Sequence, residues 1–307
     1  MTAPAPRVER LHGGHAVLEK CDDHAWENKV VFNTACVLVD TPERIRMLAE
    51  ALPVDAAKKA IVQKEKAVVA LLYRAQGKKT AERDHTHSTL GLAVCTPDLR
   101  LLVRLAEPVV LPVEPYEDLG VEDPRITRVG DQYVMVYTGY ATGTPQNRVR
   151  IIIATSNNLV HWAESTHLFG EWKSRGVLLP WIPNPMFKDV WTGGGAPPLR
   201  LADGTYLVIY HIGNRDESGA REYDLGIALI DPEAPQPVVL RAEPLMRPET
   251  PQETTGDEDL GVNNVVFICG AYFWKGDLYF PYQGSDTRIL GARITRGELD
   301  KFLNTRF

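Results

Sequence analysis

The chain has 307 residues, 44% of them apolar and 24% charged, with a net charge of −6. That length holds one large domain or two ordinary ones, and the balance is that of a soluble globular protein. The acidic charge, with no Lys/Arg run, excludes a nucleic-acid partner. No apolar run approaches the roughly 20 residues of a membrane span, which excludes a helical membrane protein.

The opening residues, MTAPAPRVER, carry no apolar core and no cleavage-like pattern, so no secretory signal is expected. The cysteines are Cys21, Cys36, Cys95 and Cys269; three lie in apolar strand-like runs and none forms a Cys-x-x-Cys pair. Reduced, buried cysteines in a cytoplasmic protein are the expectation.

A strand-like run, VFNTACVLV, precedes residues 42–66, whose Ala, Leu, Glu and Lys spacing predicts a helical insert starting near Thr41-Pro42. Then a phrase recurs. AVVALLYRAQG (67–77), YVMVYTGY (133–140), YLVIYHIG (206–213) and LYFPYQGSD (278–286) are β-branched and aromatic runs, with Tyr73, Tyr137, Tyr210 and Tyr282 in matching places. Three are preceded by a hairpin signal, VGDQ, ADGT or KGD, which supplies the positive φ of a tight turn. Each is followed by another strand-like run, so the module is strand, hairpin, strand, connection, strand. The fold class predicted is all-β, a β-propeller with four clear blade modules in one domain. Residues 165–190 break the pattern and predict an irregular ordered loop. The Pro-rich stretch 232–257 predicts a connection between the last two modules.

The chemistry-bearing residues fall at equivalent points of these modules. EDLGVEDPRI, from Glu117, is echoed by EDLGVNNVVF, from Glu258. The first copy carries Glu122 and Asp123, the second Asn263 and Asn264. The turn therefore does not itself require acids, and acids in one copy point to chemistry. Pro124 disfavours helix at Asp123 and aims its side chain. Asn33, Arg74, His211 and Asp286 stand at comparable strand ends; a lone histidine such as His211 is as readily a structural hydrogen-bonding residue. His85-Thr-His87 has no further partner at metal spacing and reads as a surface loop. The glycines 193–195 lack the Lys-Ser/Thr of a phosphate loop and predict close backbone approach.

At these residues the sequence resembles glycoside hydrolase family 130. The matching text includes VFNTA, LLYRA, STLGLAV, YEDLGVEDPRI, GGGAPPL, YLVIYHIG, NNVVFICG and YQGSD, over residues 29–41 and 67–294. The resemblance implies a five-bladed propeller and inverting β-mannoside phosphorolysis or hydrolysis. It implies Asp123 as catalytic acid, acting through a sugar hydroxyl. It places Asn33, Arg74, Glu122, Arg125 and Asp286 around the substrate, and His211 and Tyr223 at an anion or nucleophile site. No metal or cofactor is required; inorganic phosphate is the co-substrate of a phosphorylase. The partner is an oligosaccharide or glycoside, and homo-oligomers stay open, with the insert 42–66 able to pack on a neighbouring subunit, cover one mouth of the channel or decorate the surface.

The chain departs from the family where phosphate is held. The basic blade falls in the unpatterned 165–190, and Trp191 stands at the lysine position, with Lys173, Arg175 and Lys188 nearby. Losing bidentate donors weakens phosphate recognition, so hydrolysis is slightly preferred here. A hydrolase needs a second carboxylate, for which Asp286, Glu258, Asp216, Glu217 and Glu222 are candidates. A phosphorylase and a non-catalytic carbohydrate-binding propeller are the alternatives.

Overall fold

The computed structural model describes residues 4–80, 87–143, 148–165, 178–233 and 238–304. The chain forms two compact units, one of residues 17–170 with 287–289, the other of 1–16, 171–286 and 290–307.

In the first unit, β2 (Val30–Val39), β3 (Val68–Gln76), β4 (Ser88–Cys95) and β5 (Leu101–Arg104) pair as an antiparallel meander. A second meander follows from β6 (Gly120–Val129), β7 (Gln132–Tyr140), β8 (Val149–Ser156) and β9 (Ala163–Glu164). A single parallel bridge, Ser88 to Gly120, joins them. Gly120 has φ +136°, and a Cβ there would meet the Ser88 nitrogen at 2.5 Å. Glycine is what lets the two sheets approach at that point. β2, β3 and β4 are buried almost throughout, which is why they read as continuous apolar runs.

The predicted helical insert is two helices, α1 (Pro42–Ala51) and α2 (Ala56–Gln63). Leu52 precedes Pro53 and is extended, which ends α1. Thr41 and Asp55 cap the two N-termini by accepting from the Arg44 and Lys58 amides. Ile45, Leu48, Ala49, Leu52 and Val62 are buried in the core formed by the strands of this unit. The apolar side of the insert is thus packed on its own chain.

In the second unit, β10 (Asp189–Gly193) and β11 (Leu199–Arg200) share one edge of β12 (Tyr206–Arg215), with β13 (Arg221–Ile230) and β14 (Val238–Met246) beyond it. The last sheet has β15 (Val266–Phe267) and β16 (Tyr272–Trp274) on one side of β17 (Asp277–Gly284). Its other side carries β18 (Arg288–Ile294) and then β1 (Glu9–Arg10). The N-terminal β1 therefore completes a sheet built from the C-terminal end. Helix α4 (Arg296–Asn304) buries Leu299 and Phe302 on the same core.

The expectation of a bare connection over 232–257 is corrected. That stretch holds β14 and a short helix, α3 (Pro251–Thr254). Among the described residues β14 pairs with β13 alone, and an outer strand tolerates its one proline, Pro244, because only one of its edges serves the ladder. The hairpin signals behave as predicted: Gly130, Gly204, Lys275 and Gly276 all have positive φ. Residues 178–188 contain no strand; 166–177 lie outside the described residues, as does His85.

The four repeated tyrosines are buried in the sheets, and each donates to a glutamate. The pairs are Tyr73 with Glu27 (2.9 Å), Tyr137 with Glu117 (2.9 Å), Tyr282 with Glu253 (2.7 Å) and Tyr210 with Glu243. An arginine on the outermost strand closes three of the pairs: Arg104 on β5, Arg241 on β14 and Arg10 on β1.

Candidate active site

The acidic cluster lies where the first two sheets meet. A bulge in β6 between Glu122 and Arg125 puts Asp123 in the left-handed region, φ +53°. A bulge in β2 does the same for Asn33, φ +44°. These bulges release both side chains from the strand alternation and aim them at each other. Asn33 Nδ2 donates to Asp123 Oδ1 at 2.6 Å, and Arg74 Nη1 donates to the same oxygen at 3.0 Å. Arg74 Nη2 donates to Glu122 Oε1, and Arg74 Nε donates to Ser88 Oγ at 2.8 Å. Ser88 Oγ in turn donates to Glu122 Oε1 at 3.1 Å and accepts from Gln76 Nε2 at 3.0 Å. The guanidinium rests on the Phe32 ring, 4.5 Å from its centroid. Arg74 is thereby held flat between an aromatic face and two carboxylates, a bidentate geometry that lysine could not reproduce.

Burial pushes the Glu122 carboxyl above its ordinary range; Arg74 pulls the other way and Asp123 pushes in the same direction. Arg125 Nη1 donates to the Asp123 carbonyl oxygen at 2.9 Å and so holds the strained backbone. Asn33 Oδ1 and Gln76 Oε1 are buried and have no hydrogen-bond partner among the described residues. Such acceptors are costly when empty and are satisfied by hydroxyl donors.

Of the residues singled out from sequence, Asn33, Arg74, Glu122, Asp123 and Arg125 form this cluster. Arg74 meets the carboxylates directly, a role the repeat did not suggest. Ser88 and Gln76 were missed. The only signal for them was position, since each stands at the strand end facing a predicted residue.

His211 and Tyr223 lie together in the other unit. His211 is buried, its Nε2 3.0 Å from both the amide and the carbonyl of Ile268, and its ring stacks on Phe267. Tyr223 is half-buried and meets Trp191 and Phe267 edge-on. Trp191, at the lysine position of the family pattern, packs on Gly213, where a Cβ would come within 2.1 Å of the indole. The close approach expected of the glycines 193–195 is realised at Gly195, whose Cβ would sit 2.2 Å from the Ile209 oxygen. Asp286 is half-buried in the turn after β17, with φ +53°. Of the candidate bases, Asp216 caps the β12–β13 turn through Ser218 and Ala220, and Glu217 and Glu258 are exposed.

Among the described residues, Cys21, His24 and Glu27 have ligand-type atoms within 4.8 Å of one another. Glu27 there is taken by Tyr73, Arg104 and His24, an arrangement matched by the Tyr–Glu pairs of the other sheets. None of the four cysteines is in a disulfide. No described helix is long and apolar enough to cross a membrane.

The sequence profile of the family described as β-1,4-mannooligosaccharide phosphorylase matches residues 39–175 and 145–305. The chain is 28% identical to a 1,2-β-oligomannan phosphorylase and 26% identical to a β-1,2-mannobiose phosphorylase, both of Thermoanaerobacter sp. Each alignment covers 96% of this chain and 99% of the relative. Among solved structures, a glycosyl hydrolase from Bacteroides ovatus shares 20% identity at a TM-score of 0.68, over 95% of both chains. The β-1,2-mannobiose phosphorylase of Listeria innocua shares 19% at a TM-score of 0.62, over 78% of this chain and 89% of that one. The fold of these neighbours is the five-bladed β-propeller, and the described residues of this chain supply three sheets, the largest made of two blade-type meanders. The chain belongs to glycoside hydrolase family 130, a family of enzymes that cleave mannosidic bonds by phosphorolysis or hydrolysis.

Proposed function

We propose that this protein cleaves β-1,2-linked mannosides with inversion and transfers the mannosyl unit to phosphate, with Asp123 as the acid. The observation that carries the reading is the pair of donors on Asp123 Oδ1. Asn33 and Arg74 make that oxygen the acceptor of the carboxyl group, so a proton on Asp123 resides on Oδ2. From there it passes through a sugar hydroxyl to the glycosidic oxygen as that bond breaks. The incoming oxygen attacks the anomeric carbon from the opposite face, so a β-mannoside yields α-mannose 1-phosphate. The unpartnered Asn33 Oδ1 and Gln76 Oε1 offer acceptors to the hydroxyls of the mannosyl ring. The names of the relatives that align over nearly the whole chain support phosphate as acceptor and the 1,2 linkage. The reduced cysteines fit a cytoplasmic enzyme.

One feature favours water instead. Trp191, on β10, stands where the family resemblance implies a phosphate-binding lysine. Incubation of β-1,2-mannobiose with and without phosphate separates the readings. Mannose 1-phosphate formed only with phosphate is the expected result; free mannose as the sole product, unchanged by phosphate, would make the enzyme a hydrolase. No release in either condition, with binding retained, would remove the catalytic reading altogether.

A further inference from the structure

The unit containing β10–β14 carries a pocket of about 270 Å³ that the Asp123 chemistry does not use. Its floor is Asn214 and Asp224, side by side on β12 and β13 and 1% and 3% exposed. Its walls include Ile182, Pro183 and Pro185 from the segment after residue 177, with Arg247 at the far side. The Asn214 amide donates to Asp224 Oδ2 at 3.1 Å, and Arg247 Nε approaches that same oxygen at 3.6 Å. Asn214 Oδ1 and Asp224 Oδ1 are left buried without a donor among the described residues. Glu222, next on the same face of β13, lies against the Asp224 carboxyl and favours its protonated form. The buried Asn214 amide oxygen is an unfilled acceptor, and native interiors rarely leave such an atom empty.

The lining sorts by chemistry. An amide oxygen and a carboxyl group lie on the floor, a half-exposed guanidinium supplies donors, and proline and isoleucine rings and methyls form an apolar wall. An inorganic anion would meet the Glu243 carboxylate, and a metal ion would meet Arg247 and Arg241. A pyranose offers what the pocket lacks: hydroxyl donors for the floor, hydroxyl acceptors for Arg247 and a C–H face for the prolines. The volume lies just under the roughly 300 Å³ at which drug-sized sites begin, which suits a single ring and not an oligosaccharide.

We propose that this pocket is a second carbohydrate site, taking one mannose-type pyranose with one hydroxyl donated to Asn214 Oδ1 and a neighbouring hydroxyl paired with the Asp224 carboxyl. None of its residues belongs to the Asp123 cluster, so the site stands whether phosphate or water is the acceptor at that cluster. The test is hydrogen exchange read by mass spectrometry on the full chain, titrated with D-mannose, D-glucose, D-galactose and glycerol. Saturable protection by a hexose over 182–186, 212–214 and 244–247 is expected. In Asn214→Ala that protection should need about tenfold more sugar, as befits one lost hydrogen bond in a buried site. Pro185→Trp, which fills the mouth from the exposed side, should abolish it while leaving cleavage of mannobiose intact. The proposal fails if no hexose protects these segments, if glycerol protects them equally, or if both variants behave as the wild type.

Discussion

Asn33, Asp123 and Asn264 occupy left-handed backbone positions, with φ of +44°, +53° and +56°. Outside glycine, asparagine and aspartate are the residues that tolerate this region best, so the backbone restricts the choice to that pair. What remains for chemistry is amide or carboxylate. Asp123→Asn keeps the backbone preference and can still accept from Arg74, but it removes the proton donor. Its rate of mannoside cleavage should fall by about 10²–10⁴, the usual worth of general acid catalysis, with the melting transition nearly unmoved. Asp123→Ala should lose the same activity and in addition destabilise by about 1 kcal/mol, because alanine resists positive φ. Calorimetry beside a product assay separates the two; an active Asp123→Asn would remove Asp123 from the chemistry. Asp123 was legible in the sequence as a candidate because an internal echo differed there. Ser88 and Gln76 were not, because their part in the cluster comes from the Ser88–Gly120 bridge, a contact between sheets that no local pattern announces.

The Tyr–Glu–Arg groups show where that echo misleads. It aligns Glu117 with Glu258, yet Glu258 is exposed and the partner of Tyr282 is Glu253, five residues earlier, at the end of a Pro-capped turn. A buried carboxylate is placed by tertiary structure, and different local sequences can deliver it. Burial acts to raise the Glu253 carboxyl. The Arg10 guanidinium, the Glu249 and Thr250 amides and the Tyr282 hydroxyl outweigh it, and hold the group below its ordinary range. Arg10 belongs to the two-residue strand β1, so this ion pair fastens the N-terminus to the last sheet. Arg10→Ala leaves Glu253 with its amides and hydroxyl but no countercharge, and should cost about 1–3 kcal/mol in denaturant unfolding. Glu9→Ala on the same strand removes only a solvent-exposed pair with Arg293 and should cost under about 1 kcal/mol. Equal effects from the two would show that β1 is fastened by its ladder and not by the Arg10–Glu253 pair.

Across the whole chain, the inner strands were legible as runs of β-branched and aromatic residues, three of them preceded by a hairpin signal. The outer strands were not: β1 is two residues at the far end of the sequence, and β14 is masked by prolines. Long-range pairing, not local propensity, makes them strands. The same separation between local and global holds for charge. A net −6 says little about how stability varies with pH, which depends on the groups whose acidity folding changes. Asp224 is one. Burial first, then the Glu222 charge, raise its carboxyl from 3.8 to about 7, while Arg247 and the Asn214 amide pull it back. Arg241 and Glu243, the other charged groups lining its pocket, form an ion pair with each other. The native chain therefore keeps a proton on Asp224 that the unfolded chain has already released above 3.8. On this group's account, stability falls as pH rises through that window and levels off above about 7. Asp224→Asn removes the titration and leaves an acceptor oxygen in place. The variant should gain stability over the wild type at pH 8, and gain less at pH 5, the two gains differing by up to about 2 kcal/mol. Denaturant unfolding at both pH values reads this directly. A gain that is the same at pH 5 and pH 8 would mean that Asp224 is ionised in the folded chain at both, and that Arg247 outweighs burial.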